Sequence, residues 1–252
     1  MDAAQSDPHT SSDDVVDLFQ SSSNAMTAYR QWSSDPRRVG VPEFLHDHVA
    51  NAIYRVTTAA VLHLDERIHD DYTSRAKNAA WDNETLHPLK NIEFEDVTPR
   101  LGWPFKKVAD WSPPLAFNHA FHYFLEKRHG ELFTYPQFRT FAQGDQLVQR
   151  LMVQHGIHLL DTLQRDAPRV ALEAAFNWRV GCAYYSFIRE LFLLAASRAR
   201  GDDLRVHPLA DTLFRTDFWS GDSGRPFGVE MLMTNPIYKD SKEGRKPPMV
   251  DF

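Results

Sequence analysis

Residues 168–203 read PRVALEAAFNWRVGCAYYSFIRELFLLAASRARGDD, and this stretch decides the fold. Proline suits the first turn of a helix, and the Gly-Asp-Asp turn at 201–203 supplies a stop after it. Between these ends, apolar side chains recur at the three- and four-residue steps of a helix. They are Leu172, Phe176, Tyr184, Phe187, Leu191 and Leu194. The pattern predicts one long buried helix from Arg169 to Arg200.

Upstream of this helix, the chain is predicted to be mainly helical. Apolar residues have helical spacing in residues 13–33, 43–80, 115–128, 137–142 and 145–164. Glycines at positions 130, 144 and 156 are predicted to interrupt these helices. Residues 82–114 contain two tryptophans and five prolines, and the prolines rule out a long helix there. Within this stretch, residues 91–97 alternate between apolar and polar side chains, which predicts a short strand.

Downstream of the long helix, the pattern changes to that of β-strands. Residues 204–207, 213–219 and 228–233 are short and rich in β-compatible side chains, and residues 220–224 suit a hairpin turn. Helices and strands are therefore segregated along the chain. The sequence predicts an α+β fold, with a mainly helical body and a small C-terminal module of one helix and strands.

The composition suggests three parts. Residues 1–12 are polar and small, and we interpret them as a disordered acidic tail. Residues 13–165 are predicted to form a helical domain with a Pro/Trp-rich insert at 82–114. Residues 168–252 are predicted to form an α/β module whose charged end, Lys239 to Phe252, is an exposed arm.

The charge and the motifs of the chain exclude some classes of function but do not identify one. The chain has 28 Lys and Arg against 34 Asp and Glu, but residues 1–20 hold five of the acids and no base. The rest is nearly neutral, so charge neither favours nor excludes a nucleic-acid partner. A single cysteine, Cys182, excludes an intrachain disulfide and a Cys-based zinc cluster. Gly-x-Ser-x-Gly, Walker and Gly-x-Gly-x-x-Gly motifs do not occur.

No apolar stretch in the sequence is long enough for a membrane span, and the N-terminus does not have the pattern of a signal peptide. We therefore expect a cytoplasmic protein without a membrane partner.

Three acids follow one another across the C-terminal module. Glu190 lies on the long predicted helix, Asp217 on the second predicted strand and Glu230 on the third. This order resembles the core of the restriction-endonuclease-like PD-(D/E)xK superfamily, in which a helical Glu, an Asp and a strand Glu or Asp surround a divalent metal. The segment Arg215-Thr216-Asp217-Phe218 is similar to a strand found in several branches of that superfamily.

The resemblance covers residues from Tyr185 to Leu232 and implies metal-dependent cleavage of DNA or RNA. It implies Mg²⁺ held by Asp217 and Glu230, with Glu190 as a third catalytic acid and a metal-activated water as nucleophile. In the superfamily, a lysine follows the second acid by two positions, and Leu232 stands at that position here. The resemblance then requires a lysine from the arm, for which Lys239 or Lys242 is the candidate.

The same residues fit a second interpretation without catalysis. Glu190 would be a helix-surface acid, Asp217 an exposed strand residue and Glu230 an ion-pair partner. The protein would then be a helical adaptor or assembly subunit that binds protein partners or copies of itself through its Pro/Trp-rich insert and its arm.

Histidines and aromatic residues provide two further candidates. His119 with His122, and His155 with His158, have i,i+3 spacing, so the two pairs could supply four imidazoles to zinc, nickel or copper. The alternative is that they are hydrogen-bonded residues at the edge of the core. Aromatic side chains crowd residues 100–140, where we expect core packing or protein contact rather than base stacking. Residues 131–138 also fit part of a helix-turn-helix with Gln137 and Arg139 on its second helix.

Overall fold

Helices precede and surround a small sheet in the computed structural model, which describes residues 23–41, 51–61, 103–214, 217–220 and 227–229. The α-helices are α1 (Ser23–Ser33), α2 (Trp103–Ala109), α3 (Phe117–Lys127), α4 (Tyr135–Gly144), α5 (Gln146–Val148), α6 (Gln154–Leu163), α7 (Arg169–Ala199) and α8 (Pro208–Phe214). The chain forms 3-10 turns at Pro36–Arg38 and Asn51–Arg55, and a π-helical stretch, Gln149–Val153, joins α5 to α6. The predicted tail, the strand at 91–97 and the arm lie outside the described residues.

The strands are β1 (Leu204–Arg205), β2 (Phe218–Ser220) and β3 (Phe227–Val229). They form one antiparallel sheet in the order β1-β2-β3. Arg205 pairs with Trp219, and Trp219 pairs with Gly228. A helical body with a small strand module confirms the α+β prediction.

The long helix α7 organises the core. It runs from Arg169 to Ala199, one residue short of the predicted end. Its buried face packs against α2 and α3, and one continuous cluster of buried side chains extends from Trp32 to Trp219. In the part of the chain that the structure describes, no helix combines the length and apolar character needed to cross a bilayer.

The predicted aromatic core is confirmed. Phe121, Phe133, Tyr135 and Phe138 are each no more than 2% exposed, and their rings contact one another and α7. These side chains bury a large apolar area and hold α3, the following loop and α4 against the long helix.

The prediction of one long helix over residues 43–80, straight or bent, is wrong in the part that the structure describes. Asn51–Arg55 is a 3-10 turn, and the chain leaves helical structure at Val56 and Thr57. The Thr57 hydroxyl then accepts a hydrogen bond from the Ala60 N–H, which starts a new helical turn. Apolar spacing could not reveal this break, because both kinds of helix place side chains three residues apart on one face.

The predicted strand over residues 213–219 is wrong in its first part, where α8 extends to Phe214. His207 precedes this helix, and its Nδ1 accepts a hydrogen bond from the Leu209 N–H. Pro208 occupies the first helical position, where its missing N–H costs nothing. A cap supplied by histidine is not among the usual helix-start signals, so the sequence pattern did not reveal it.

The loop before α4 ends in a capping box. The Thr134 hydroxyl accepts from the Gln137 N–H, and the Gln137 side-chain oxygen accepts from the Thr134 N–H. Gln137, a candidate for base recognition, therefore uses its side-chain oxygen to begin its own helix.

Gly156 was expected to break a helix but lies inside α6. A Cβ atom at this position would lie 2.6 Å from two ring atoms of Phe176. That ring contacts Trp111, with 5.2 Å between the ring centroids, so it has little room to move. The glycine therefore allows α6 and α7 to approach closely.

Gly156→Ala is expected to lower the free energy of unfolding by about 1–3 kcal/mol, because the added methyl overlaps a packed ring. Gly144→Ala is the matched control, since a Cβ atom added there would have no neighbour within 4 Å. We expect that control to be neutral or to stabilise by up to about 1 kcal/mol. Urea unfolding of both variants measures the difference, and equal effects would contradict the close-approach explanation.

Candidate carboxylate site

Acidic side chains on three elements act on one another electrostatically. Glu190 lies on α7, Asp211 on α8, and Asp217 immediately before β2. Burial raises the pKa of Glu190 well above its usual range, and the charges of Asp211 and Asp217 raise it further. We call these three residues the acid cluster, although by themselves they are not arranged to hold a metal ion.

Glu190 is the buried member of the acid cluster. The residue is 8% exposed, and its Oε2 atom has no hydrogen-bond partner among the described residues. Leaving a buried polar atom unsatisfied costs about 1–3 kcal/mol, so such groups in native proteins are few and often mark a functional position. Both the burial and the neighbouring acids favour the protonated form of this side chain.

Asp211 and Asp217 are half-buried, so the acid cluster extends from the core towards the surface. One carboxylate oxygen of Asp211 accepts a hydrogen bond of 3.0 Å from the Asn118 side-chain amide. This bond connects α3 to α8 and fixes the position of Asp211. Sequence reasoning missed Asp211, since the segment around it was interpreted as a loop leading into a strand.

Of the four predicted catalytic residues, the structure describes Glu190 and Asp217, and the charge of Asp217 contributes to the raised pKa of Glu190. Glu190 is not the surface acid that the non-catalytic interpretation required. Glu230 and Lys239 lie outside the described residues, as does the alternative lysine, Lys242.

Three buried histidines form a second polar group, the histidine cluster. His119 and His122 lie on α3 and His207 precedes α8, and each is no more than 3% exposed. His119 Nε2 donates a hydrogen bond of 3.0 Å to the Pro208 carbonyl. Neither ring nitrogen of His122 has a hydrogen-bond partner among the described residues, and its ring contacts the ring of Phe187.

Burial keeps His119 and His122 uncharged at neutral pH. It lowers the pKa of His119 to about 4, although the bond to Pro208 opposes the shift and the charge of Arg38 adds to it. Burial lowers the pKa of His122 well below its usual range, and His207 and His119 lower it further.

The two predicted histidine pairs lie in different environments. His155 and His158 are exposed on α6, whereas His119 and His122 are buried against α7 and α8. The buried pair is accompanied by His207 instead, which the sequence did not single out.

Metal-binding geometry is incomplete in the described part of the chain. There, no group of three or more His, Cys, Asp or Glu side chains is arranged to hold a metal ion. A cation at the acid cluster would therefore need at least one ligand from residues outside the described ranges.

A surface pocket of about 550 Å³ lies elsewhere, between α3 and the start of α5. It is lined by Tyr123, Gly144, Asp145, Gln146, Leu147 and Arg150. One Asp145 oxygen accepts from the N–H groups of Leu147 and Val148, and the other accepts from the Tyr123 hydroxyl. Its carboxylate therefore has a structural role as a helix cap.

Comparisons with known proteins leave the function open. No family model, no curated protein and no solved structure matches this chain. Function therefore has to be inferred from the residues themselves.

Proposed function

We propose that this protein is a divalent-cation-dependent nuclease that hydrolyses phosphodiester bonds of DNA or RNA. The observation that carries the proposal is the buried Glu190 carboxyl, whose Oε2 atom has no hydrogen-bond partner among the described residues and whose pKa is raised by burial and by the charges of Asp211 and Asp217. The order of the elements, a helix followed by antiparallel strands, also agrees with the resemblance to the PD-(D/E)xK superfamily.

Glu230 is the third acid that the resemblance implies. It follows β3, in which Val229 pairs with Phe218, Gly228 with Trp219 and Phe227 with Ser220. Glu230 itself lies outside the described residues, so its role rests on the resemblance.

The proposed roles follow from the chemistry of carboxylates. Asp217 and Glu230 would supply oxygen ligands to Mg²⁺, with Glu190 as a third catalytic acid, and Asp211, held by Asn118, would add negative charge beside them. A cation held there would polarise the phosphate and lower the pKa of a bound water. Lys239 would position that water, whose attack on phosphorus breaks one P–O bond and leaves a phosphate monoester and a hydroxyl.

Asp217→Asn is expected to abolish cleavage of plasmid DNA or of single-stranded RNA in Mg²⁺ or Mn²⁺, because it removes a charged ligand without changing side-chain size. The variant should also lose the rise in melting temperature that the cation gives the wild-type protein. Asp166→Asn, at an exposed acid outside the acid cluster, is the matched control and should retain both.

Cleavage that survives Asp217→Asn would overturn the proposal. So would a wild-type protein whose melting temperature and cleavage do not respond to either cation. A stable oligomer in light scattering together with that result would favour the adaptor interpretation instead.

A further inference from the structure

The segment before the acid cluster is attached to the helical body through polar side chains. The Tyr54 hydroxyl donates to the Val206 carbonyl and accepts from the Val206 N–H, at 2.9 and 3.1 Å. His119 donates to the Pro208 carbonyl, and Asn118 donates to Asp211. These contacts hold the segment from β1 to α8 in place, and with it Asp211.

One of the three imidazoles, that of His207, makes a bond that a further proton would break, whereas a further proton on His119 would add charge without breaking its bond. His207 Nδ1 is the acceptor that caps α8, and a proton on that nitrogen would turn the acceptor into a donor. His119 already carries a proton on Nε2, so a second one would charge its ring. His122 lies close enough to both for a charge on one to disfavour a charge on the others.

The surroundings of the histidine cluster offer little compensation for positive charge. The guanidinium of Arg38, paired with Asp35, faces His119, and the ring of Trp32 contacts His119 edge-on. Phe187 of α7 lies against His122. Glu190, Asp211 and Asp217 lie on neighbouring elements, but the groups that shift the pKa values of His119 and His122 are Pro208, Arg38 and the other histidines rather than these acids.

We propose that the histidine cluster is a pH-sensitive contact that releases residues 204–214 from the helical body when the protein is acidified. A proton on His207 Nδ1 removes the cap of α8, and charge on the other imidazoles creates repulsion in the contact between α3 and α8. This contact is a property of the fold and remains testable if the proposed nuclease activity is wrong.

The direction of the pH effect follows from the histidine pKa values. A group whose pKa is lower in the folded state stabilises folding fully above its unfolded value, near 6.5, and this contribution is lost as the pH falls. For His119 the loss extends down to about pH 4. Glu190 has the opposite shift, so its contribution is largest below about pH 4.5 and is lost as the pH rises. A local measurement is therefore needed, because the two effects oppose each other in global stability.

Hydrogen exchange followed by mass spectrometry at pH 7, 6 and 5, corrected for intrinsic rates, tests the proposal. Peptides from residues 204–214 should lose protection by roughly tenfold or more between pH 7 and pH 5. Peptides from residues 184–194 of α7 should keep theirs. His122→Phe should suppress the loss, because it keeps an aromatic ring against Phe187 and removes a titrating group.

His207→Asn is the second variant, since an asparagine oxygen can cap α8 but does not titrate. His158→Gln, at an exposed histidine of α6, is the control and should behave like the wild type. Equal protection of residues 204–214 at pH 5 and pH 7 would overturn the proposal. An equal loss of protection in α7 between pH 7 and pH 5 would also overturn it. So would a loss of protection at pH 5 that persists in both His122→Phe and His207→Asn.

Discussion

Phe121→Ala is expected to lower the free energy of unfolding by about 3–5 kcal/mol, a large share of the stability of an ordinary domain. The Phe121 side chain is fully buried at the centre of the aromatic core. Its ring centroid lies 4.6–6.4 Å from those of Phe133, Phe138, Tyr184 and Phe187. The substitution would leave a cavity between α3, α4 and α7 that rigid neighbouring rings cannot fill.

Chemical denaturation of the wild-type and variant proteins measures this effect. Val170→Ala is the control, because Val170 is 78% exposed and should change stability by no more than about 0.5 kcal/mol. A loss below about 1 kcal/mol for Phe121→Ala would mean that the aromatic core is not the main source of stability.

The elements that could be predicted from the sequence are those with long, regular patterns and clear ends. α7 has many buried positions in one helical period, a proline before it and a glycine after it, so both of its ends were predicted to within one residue. The aromatic core was predictable because aromatic residues are concentrated within residues 100–140 and large apolar rings gain the most free energy when they are buried.

The elements that were missed depend on contacts that a local pattern does not contain. α8 is a short helix capped by a histidine ring, and its apolar residues also fit a strand. A glycine within a helical pattern predicts a break in the helix, but Gly156 instead allows close packing against Phe176 of another helix. The spacing of apolar residues describes a single segment of the chain, whereas these features depend on contacts between two segments.

Only some residues of the candidate site could be selected from the sequence, because the others depend on contacts between distant segments. Glu190 and Asp217 were selected from their order along the chain. Asp211 belongs with them only because Asn118 and the fold of α8 bring it there. His207 was missed because its relation to His119 and His122 exists only in three dimensions. A possible signal was the His-Pro pair that directly precedes the apolar residues of α8.

Glu190→Gln is expected to make the protein more stable at high pH while removing its response to Mg²⁺. In the wild type, burial and the charges of Asp211 and Asp217 raise the pKa of Glu190. The folded state therefore binds this proton more tightly than the unfolded state, and that contribution to stability is lost as the pH rises through the raised pKa. Glutamine is neutral throughout, and its amide can donate to a neighbouring carboxylate. We expect a gain on the order of 1–3 kcal/mol at pH 8 that shrinks as the pH falls towards 5.

Melting temperatures between pH 5 and pH 9, with and without Mg²⁺, measure both effects. Glu131→Gln is the control, because Glu131 is exposed and pairs only with Arg128 among the described residues, so its pH dependence should match the wild type. A Glu190→Gln protein that is less stable than the wild type at pH 8 would show that the ionised carboxylate is a structural group. A more stable protein without a cation response would instead mean that the acid is kept at a cost to folding, which is expected of a residue retained for binding or catalysis.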